Sequence, residues 1–146
     1  MMIIDGKKEA EILRLEIKKE IDLLKSKNNK VPGLTVILIG DFAPSQIYVK
    51  NKEKSAKEVG INSSVVRYSK EVTEDEVLKK IEDLNNDTDV SGILVQLPLP
   101  PQINKEKIIN AINPKKDVDG FHPMNVGNLS SGYHAIVPCT PLGCLY

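Results

Sequence analysis

A chain of 146 residues with 40% apolar and 27% charged side chains can bury one α/β core and has the balance of an ordinary globular protein. Its 20 basic and 20 acidic residues cancel, which removes the electrostatic reason to expect a nucleic-acid or anionic-membrane partner. No apolar run is long enough to span a bilayer, and Met1-Met2-Ile3-Ile4-Asp5-Gly6 runs straight into a charged segment unlike a secretory signal, so a cytoplasmic protein is expected.

The first element is an amphipathic helix over residues 6–27, drawn by Ala10, Leu13, Ile17, Ile21 and Leu24 at spacings of three and four. Asn28 and Asn29 fit its end, and Pro32-Gly33 signals a turn. Leu34 to Ile39 reads as a buried strand. A second helix runs from about Ser45 to Val59, with Ala56 and Val59 inward and Gly60 as its C-terminal cap. Ile61 to Tyr68 is a second, more polar strand. Thr73-Glu74-Asp75-Glu76 has the form of a capping box for a third helix, whose apolar face is Val77, Leu78, Ile81 and Leu84.

Val90 to Val95 is a third strand, apolar enough to be buried on both faces. The prolines of Gln96-Leu97-Pro98-Leu99-Pro100-Pro101 forbid further pairing. A short helix near Asn104 to Ile112 turns Ile108, Ile109 and Ile112 inward. The β-α-β-α-β-α alternation predicts an α/β fold: a three-layer α-β-α arrangement about a mostly parallel sheet with right-handed crossovers. From Pro114 onward the chain reads as loop. Thr140 and Pro141 suit the N-cap and first residue of another helix, which is cut short at Tyr146. The chain is therefore expected to be part of something longer.

Three places stand out chemically. Ser45, Tyr48 and Lys52 share one helix face just beyond the end of the first strand, and open α/β sheets bind ligands at the carboxyl ends of their strands. A free lysine, with a pKa of about 10.4, is a poor base at neutral pH, so proton transfer by Lys52 needs its head group buried. Gln96 ends an apolar strand where an aliphatic residue would be the bland choice. It either caps loose backbone groups or orients Lys52. Asp117 and Asp119, flanking Val118 beside Gly120, suit an Asx-type turn, a metal site short of a third carboxylate, or a carboxylate that receives paired N–H donors from an amino-heterocycle. Spacing alone does not choose among these.

Cys139 and Cys144 read as reduced thiols, and with His122 and His134 isolated, no metal site is expected. Gly33 and Gly40 flank the first strand without forming G-x-G-x-x-G or G-x-x-x-x-G-K, so this chain alone is expected to bind no dinucleotide.

Five segments occur together and in order: Pro32-Gly33-Leu34 leading to Gly40; Ser45-x-x-Tyr48-Val49-x-x-Lys52; Gly92-Ile93-Leu94-Val95-Gln96-Leu97-Pro98-Leu99-Pro100; Lys116-Asp117-Val118-Asp119-Gly120; and Pro138-Cys139-Thr140-Pro141-x-Gly143. In this they resemble the bifunctional methylenetetrahydrofolate dehydrogenase/cyclohydrolase family. The resemblance implies the amino-terminal domain of a two-domain enzyme, with a folate site in the cleft between domains. Residues 1–139 would be the folate-binding and catalytic domain, and 140–146 the start of an interdomain helix. Lys52, Gln96 and Tyr48 would carry catalysis: Lys52 moves protons, Gln96 holds and tunes it, and Tyr48 stacks on the folate rings. Ser45, Leu97, Pro98 and Asp119 would complete the substrate contacts, with Asp119 receiving the pterin N–H groups.

The family's NADP would bind the absent second domain, and none this chain. Full-length relatives would be homodimers acting in cytoplasmic one-carbon metabolism and purine biosynthesis. This chain would be monomeric or weakly associated, with an apolar face left by the missing domain. Two other readings stand beside this one: a folate-binding fragment without turnover, and a ligand-free α/β interaction domain.

Overall fold

A computed structural model describes residues 5–28 and 30–146. Met1 to Ile4, and Asn29 of the expected first-helix end, lie outside the described residues. Six helices and three strands follow in the order α1 (Gly6–Asn28), β1 (Gly33–Ile39), α2 (Ala43–Val59), β2 (Asn62–Tyr68), α3 (Glu74–Asn86), β3 (Gly92–Val95), α4 (Lys105–Ala111), α5 (Pro123–Ser130) and α6 (Cys139–Gly143), all counted among those residues. None of the described helices is long and apolar enough to cross a membrane.

The sheet is parallel, in the order β2-β1-β3. β1 pairs with β2 from Gly33↔Asn62 to Ile39↔Tyr68, and with β3 from Leu34↔Gly92 to Ile37↔Val95. Side chains alternate across a strand, so the central strand feeds two cores. Ile37, Ile39, Ile93 and Val95 pack against Val77, Ile81 and Leu84 of α3 and Ile108 of α4. On the other face Val36, Leu38 and Leu94 pack against Val49 of α2. This is the expected three-layer arrangement, and β3 is buried on both faces as anticipated.

The local signals act where they were expected. Thr73 Oγ1 accepts from the Glu76 N–H while Glu76 Oε2 accepts from the Thr73 N–H, a complete capping box. Gly60 caps α2 in the left-handed region, with its N–H donating to Lys57 O and that of Ile61 to Ala56 O. Asn104 caps α4 through the Lys107 N–H.

Three expectations need correction. The first concerns the α1 stripe. Only Ile21 is fully buried, Ala10, Leu13 and Ile17 are half-buried, and Leu24 is exposed. The helix rests on α2 at the edge of the layers, where one neighbour covers only part of the stripe. The second concerns the stretch after Pro114, which contains the helix α5. His122 serves as its N-cap, accepting from the Met124 N–H, and Pro123 occupies its first turn. The loop-like composition hid a helix whose start is a histidine followed by proline. The third concerns α6, whose N-cap is Pro138, with Thr140 and Pro141 already helical. The first-turn N–H groups of a helix have no intrahelical partner, so proline fits anywhere in that turn and does not mark the first residue.

Candidate active site

The site is built where β1 and β3 end. After Ile39 the chain turns through Gly40 and enters α2 at Ala43. Gln46 ties this turn down: its Nε2 donates to Gly40 O at 3.1 Å, and its Oε1 accepts from Arg67 Nη1 of β2 at 2.7 Å. On α2, Ser45 is buried and Tyr48 is 61% exposed one turn before Lys52, which is half-buried. β3 continues for one more ladder bond, from the Gln96 N–H to Ile37 O, and delivers Gln96 beside the helix.

Lys52 Nζ donates to Gln96 Oε1 at 3.3 Å. Gln96 Nε2 donates to Leu97 O at 2.8 Å, and Ser45 Oγ reaches the same carbonyl at 3.5 Å. The amide orientation follows from chemistry. The lysine nitrogen donates, so it faces the glutamine oxygen, and the NH2 group turns to the carbonyl. Of the two readings open for Gln96, the geometry has it contacting Lys52 and satisfying a backbone carbonyl at once. Leu97 is half-buried and Pro98 exposed, and the peptide between them is cis.

Asp119 lies across from Lys52. Burial pushes its carboxyl above the ordinary carboxylate value, the Lys52 charge pulls it down, and Asp117 pushes it up again. Lys52 and Asp119 thus feel one another, yet no ion pair within 4.0 Å joins them among the described residues. A narrow slot is lined by Ile93, Val95, Leu97, Ile108, Phe121 and Asp119. Two larger clefts, of about 380 and 400 Å³, lie beside Tyr68 and Lys70 and beside Leu24 and Asn62. Neither includes Lys52, Gln96 or Asp119, so size does not locate the chemistry here.

Asp117 is not a plain surface turn: it is 3% exposed, and its Oδ2 accepts from the His122 N–H and from Asn125 Nδ2, both at 2.8 Å. His122 and Asn125 were not anticipated as its partners. The available signal was a polar residue directly before Pro123, the signature of a helix start. Cys139 and Cys144 are free and exposed, and no group of three metal-ligating side chains occurs among the described residues.

Residues 4–119 match the model of the tetrahydrofolate dehydrogenase/cyclohydrolase catalytic domain. The chain belongs to that family. It is 65% identical over 144 residues to the bifunctional protein FolD of Pelagibacter ubique (strain HTCC1062), a match covering 99% of this chain and 51% of the relative. A crystal structure of bifunctional FolD from Campylobacter jejuni superposes with a TM-score of 0.93 at 47% identity, covering 97% of this chain and 50% of that one. The Trypanosoma brucei dehydrogenase-cyclohydrolase, solved with NADP and an inhibitor, superposes with a TM-score of 0.91 at 36% identity, covering 95% and 48%. The chain spans about half the length of the curated relatives it matches.

The β1–α2 turn does not fit the pyrophosphate of a dinucleotide. A Rossmann-type site needs a glycine-rich turn whose helix N-terminus offers free N–H groups to the pyrophosphate. Here the β1–α2 turn of this family member is Gly40-Asp41-Phe42-Ala43-Pro44. Asp41 sets a carboxylate in the turn, and Pro44 removes an N–H from the first turn of α2.

Proposed function

We propose that this chain is the folate-binding, catalytic half of a methylenetetrahydrofolate dehydrogenase and methenyltetrahydrofolate cyclohydrolase, acting in cytoplasmic one-carbon metabolism and supplying purine biosynthesis. The observation that carries the reading is the 3.3 Å contact between Lys52 Nζ and Gln96 Oε1, made across 44 residues of sequence and opposite Asp119. The assignment of roles follows. Tyr48 stacks on the folate rings, and Asp119 receives the pterin N–H donors as a paired acceptor. Ser45, Leu97 and Pro98 line the same side. In the hydrolysis of the methenyl bridge, water adds to the bridging carbon and Lys52 takes one of its protons. Lys52 then protonates the ring nitrogen as the C–N bond breaks, and one proton leaves to solvent. Gln96 keeps the amine aimed through the step.

The dehydrogenase reaction uses NADP held by sequence outside these residues, where residues 140–146 lead as the start of an interdomain helix. The full-length protein is a homodimer, and this chain by itself is monomeric or weakly associated. A second reading, folate binding without turnover, is favoured by the 61% exposure of Tyr48, which leaves one side of the site open to water.

The deciding experiment is methenyltetrahydrofolate hydrolysis by the purified chain, without dinucleotide, beside its Lys52→Met variant and the uncatalysed background. A rate above background that vanishes in the variant supports catalysis by this half. Equal rates with folate still bound support the second reading, and absence of folate binding refutes both.

A further inference from the structure

We propose that Asp117 is a positioning residue: by accepting the His122 N–H and the Asn125 amide, it holds the turn that presents Asp119 to the substrate. The inference rests on the reading of Asp119 as a substrate contact. Asp119 itself has little to hold it. Its carboxyl accepts no hydrogen bond among the described residues, and it takes its place from the backbone of the Asp117-Val118-Asp119-Gly120 turn, closed by the Gly120 N–H on Asp117 O at 3.4 Å. That backbone is pinned at Asp117 from several directions. The Ile93 N–H donates to Lys116 O at 2.7 Å, and Asp117 bridges to Ile93 along the edge of β3. The Asp117 N–H donates to Asn113 O at 3.1 Å.

The Asp117 side chain then joins this edge to the first turn of α5. Its two donors are themselves fixed. Asn125 is buried and its Nδ2 also donates to Pro114 O at 2.9 Å, while His122 is buried and its Nδ1 accepts from the Met124 N–H at 3.1 Å. Gly120 completes the clamp: its φ of +67° lies in the left-handed region, and an added Cβ would stand 2.5 Å from Ile136 O.

The second consequence is electrostatic. The charged and titratable groups acting on Asp119 are Lys52 from α2 and Asp117 from its own turn, both over a background of burial. A buried neighbouring carboxylate makes Asp119 more basic and hence a stronger acceptor for N–H donors than an uncharged residue at 117 would.

The test follows the Asp119 carboxyl carbon by 13C NMR through a pH titration of this chain, with folate affinity measured alongside. Asp117→Asn keeps the shape and one acceptor but removes the charge. Its Asp119 midpoint moves to lower pH, and folate Kd rises about tenfold from the weakened anchor. Asn125→Ala keeps the charge, removes one donor, and also weakens folate binding. It keeps the test decisive if Asp117→Asn fails to fold. A residue with a merely structural role would lower the melting temperature in both variants and leave the Asp119 midpoint of folded Asn125→Ala unmoved. That result, with wild-type folate affinity, overturns the inference. A midpoint shifted in Asn125→Ala, which keeps the charge at 117, in a protein that binds no folate refutes the folate reading and leaves the positioning of Asp119 supported.

Discussion

Replacing Gly92 by alanine sets two effects of opposite sign against each other. In a roomy strand the change stabilises by about 0.4–1 kcal/mol, because the unfolded chain loses freedom. Gly92 is not roomy: an added Cβ would stand 2.5 Å from Val118 Cγ1 and 3.4 Å from Leu34 Cδ1. Carbon atoms rest at about 3.5–4.0 Å, so Val118 must retreat by roughly 1–1.5 Å. Overpacking of this kind costs about 1–3 kcal/mol. The retreat also pulls on the 2.7 Å bond from the Ile93 N–H to Lys116 O, worth about 1 kcal/mol more. Steric cost wins, and the net expectation is a loss of about 1–3 kcal/mol, read as a fall in the urea midpoint followed by circular dichroism. Val118→Ala in the same background removes the clashing methyls, so the pair should be non-additive by at least about 1 kcal/mol in the sense of rescue. Asp119 follows Val118 directly, so folate affinity should fall in Gly92→Ala and recover in the double variant. A Gly92→Ala urea midpoint at or above wild type refutes the reasoning, as does strict additivity of the pair.

Two further outcomes are expected. Glu76 and Glu74 both titrate below their ordinary value of 4.5, Glu76 through the Thr73 N–H and hydroxyl, Glu74 through Lys107 and the Asn104 N–H. A carboxyl depressed in the folded state contributes stability that is complete above its unfolded pKa and is lost as pH falls through the folded one. Stability measured by urea unfolding should therefore decline on acidification below that ordinary value, and less steeply in Glu76→Gln; equal slopes would refute the capping-box contribution. Asp119 has the opposite sign, being raised by burial first, so its ionised form costs stability at neutral pH. Asp119→Asn should raise the urea midpoint at neutral pH, with the gain fading as pH falls toward the unfolded value. It should also weaken folate binding by tenfold or more, the loss of about 1.4 kcal/mol or more of charge-assisted hydrogen bonding. A variant less stable than wild type at neutral pH would contradict the burial argument.

The elements read correctly from sequence are those whose cause lies within a few residues. The 3.6-residue apolar spacing of α3, its capping box, the Gly60 cap of α2 and the unbroken apolar run of β3 are all short-range, and all appear as expected. The failures share a cause as well. Leu24 belongs to the α1 stripe by spacing but is exposed, because burial depends on how much of α1 its neighbour covers. α5 was concealed because its cap is the side chain of His122, an uncommon capping residue, and its body contains Gly127 in place of a continuous apolar face.

Within the site, the sequence determined the chemical inventory: a lysine one turn beyond a tyrosine on a helix after a buried strand, a glutamine ending another strand, and two acids beside a glycine. It also determined the family, since ordered motifs survive as one-dimensional pattern. What only the tertiary structure decided is which of these meet. Lys52 and Gln96 lie 44 residues apart and touch because β3 pairs with β1 in one register, and a slip of one residue would turn Gln96 to the other face of the sheet. The two acids, alike in sequence, separate for the same reason: the β3 edge and α5 enclose Asp117 with two N–H donors, while Asp119 is left without a hydrogen bond among the described residues and within reach of the Lys52 charge. Local propensity acts over a few residues, whereas hydrogen bonding and burial act between elements that only the packed sheet brings together.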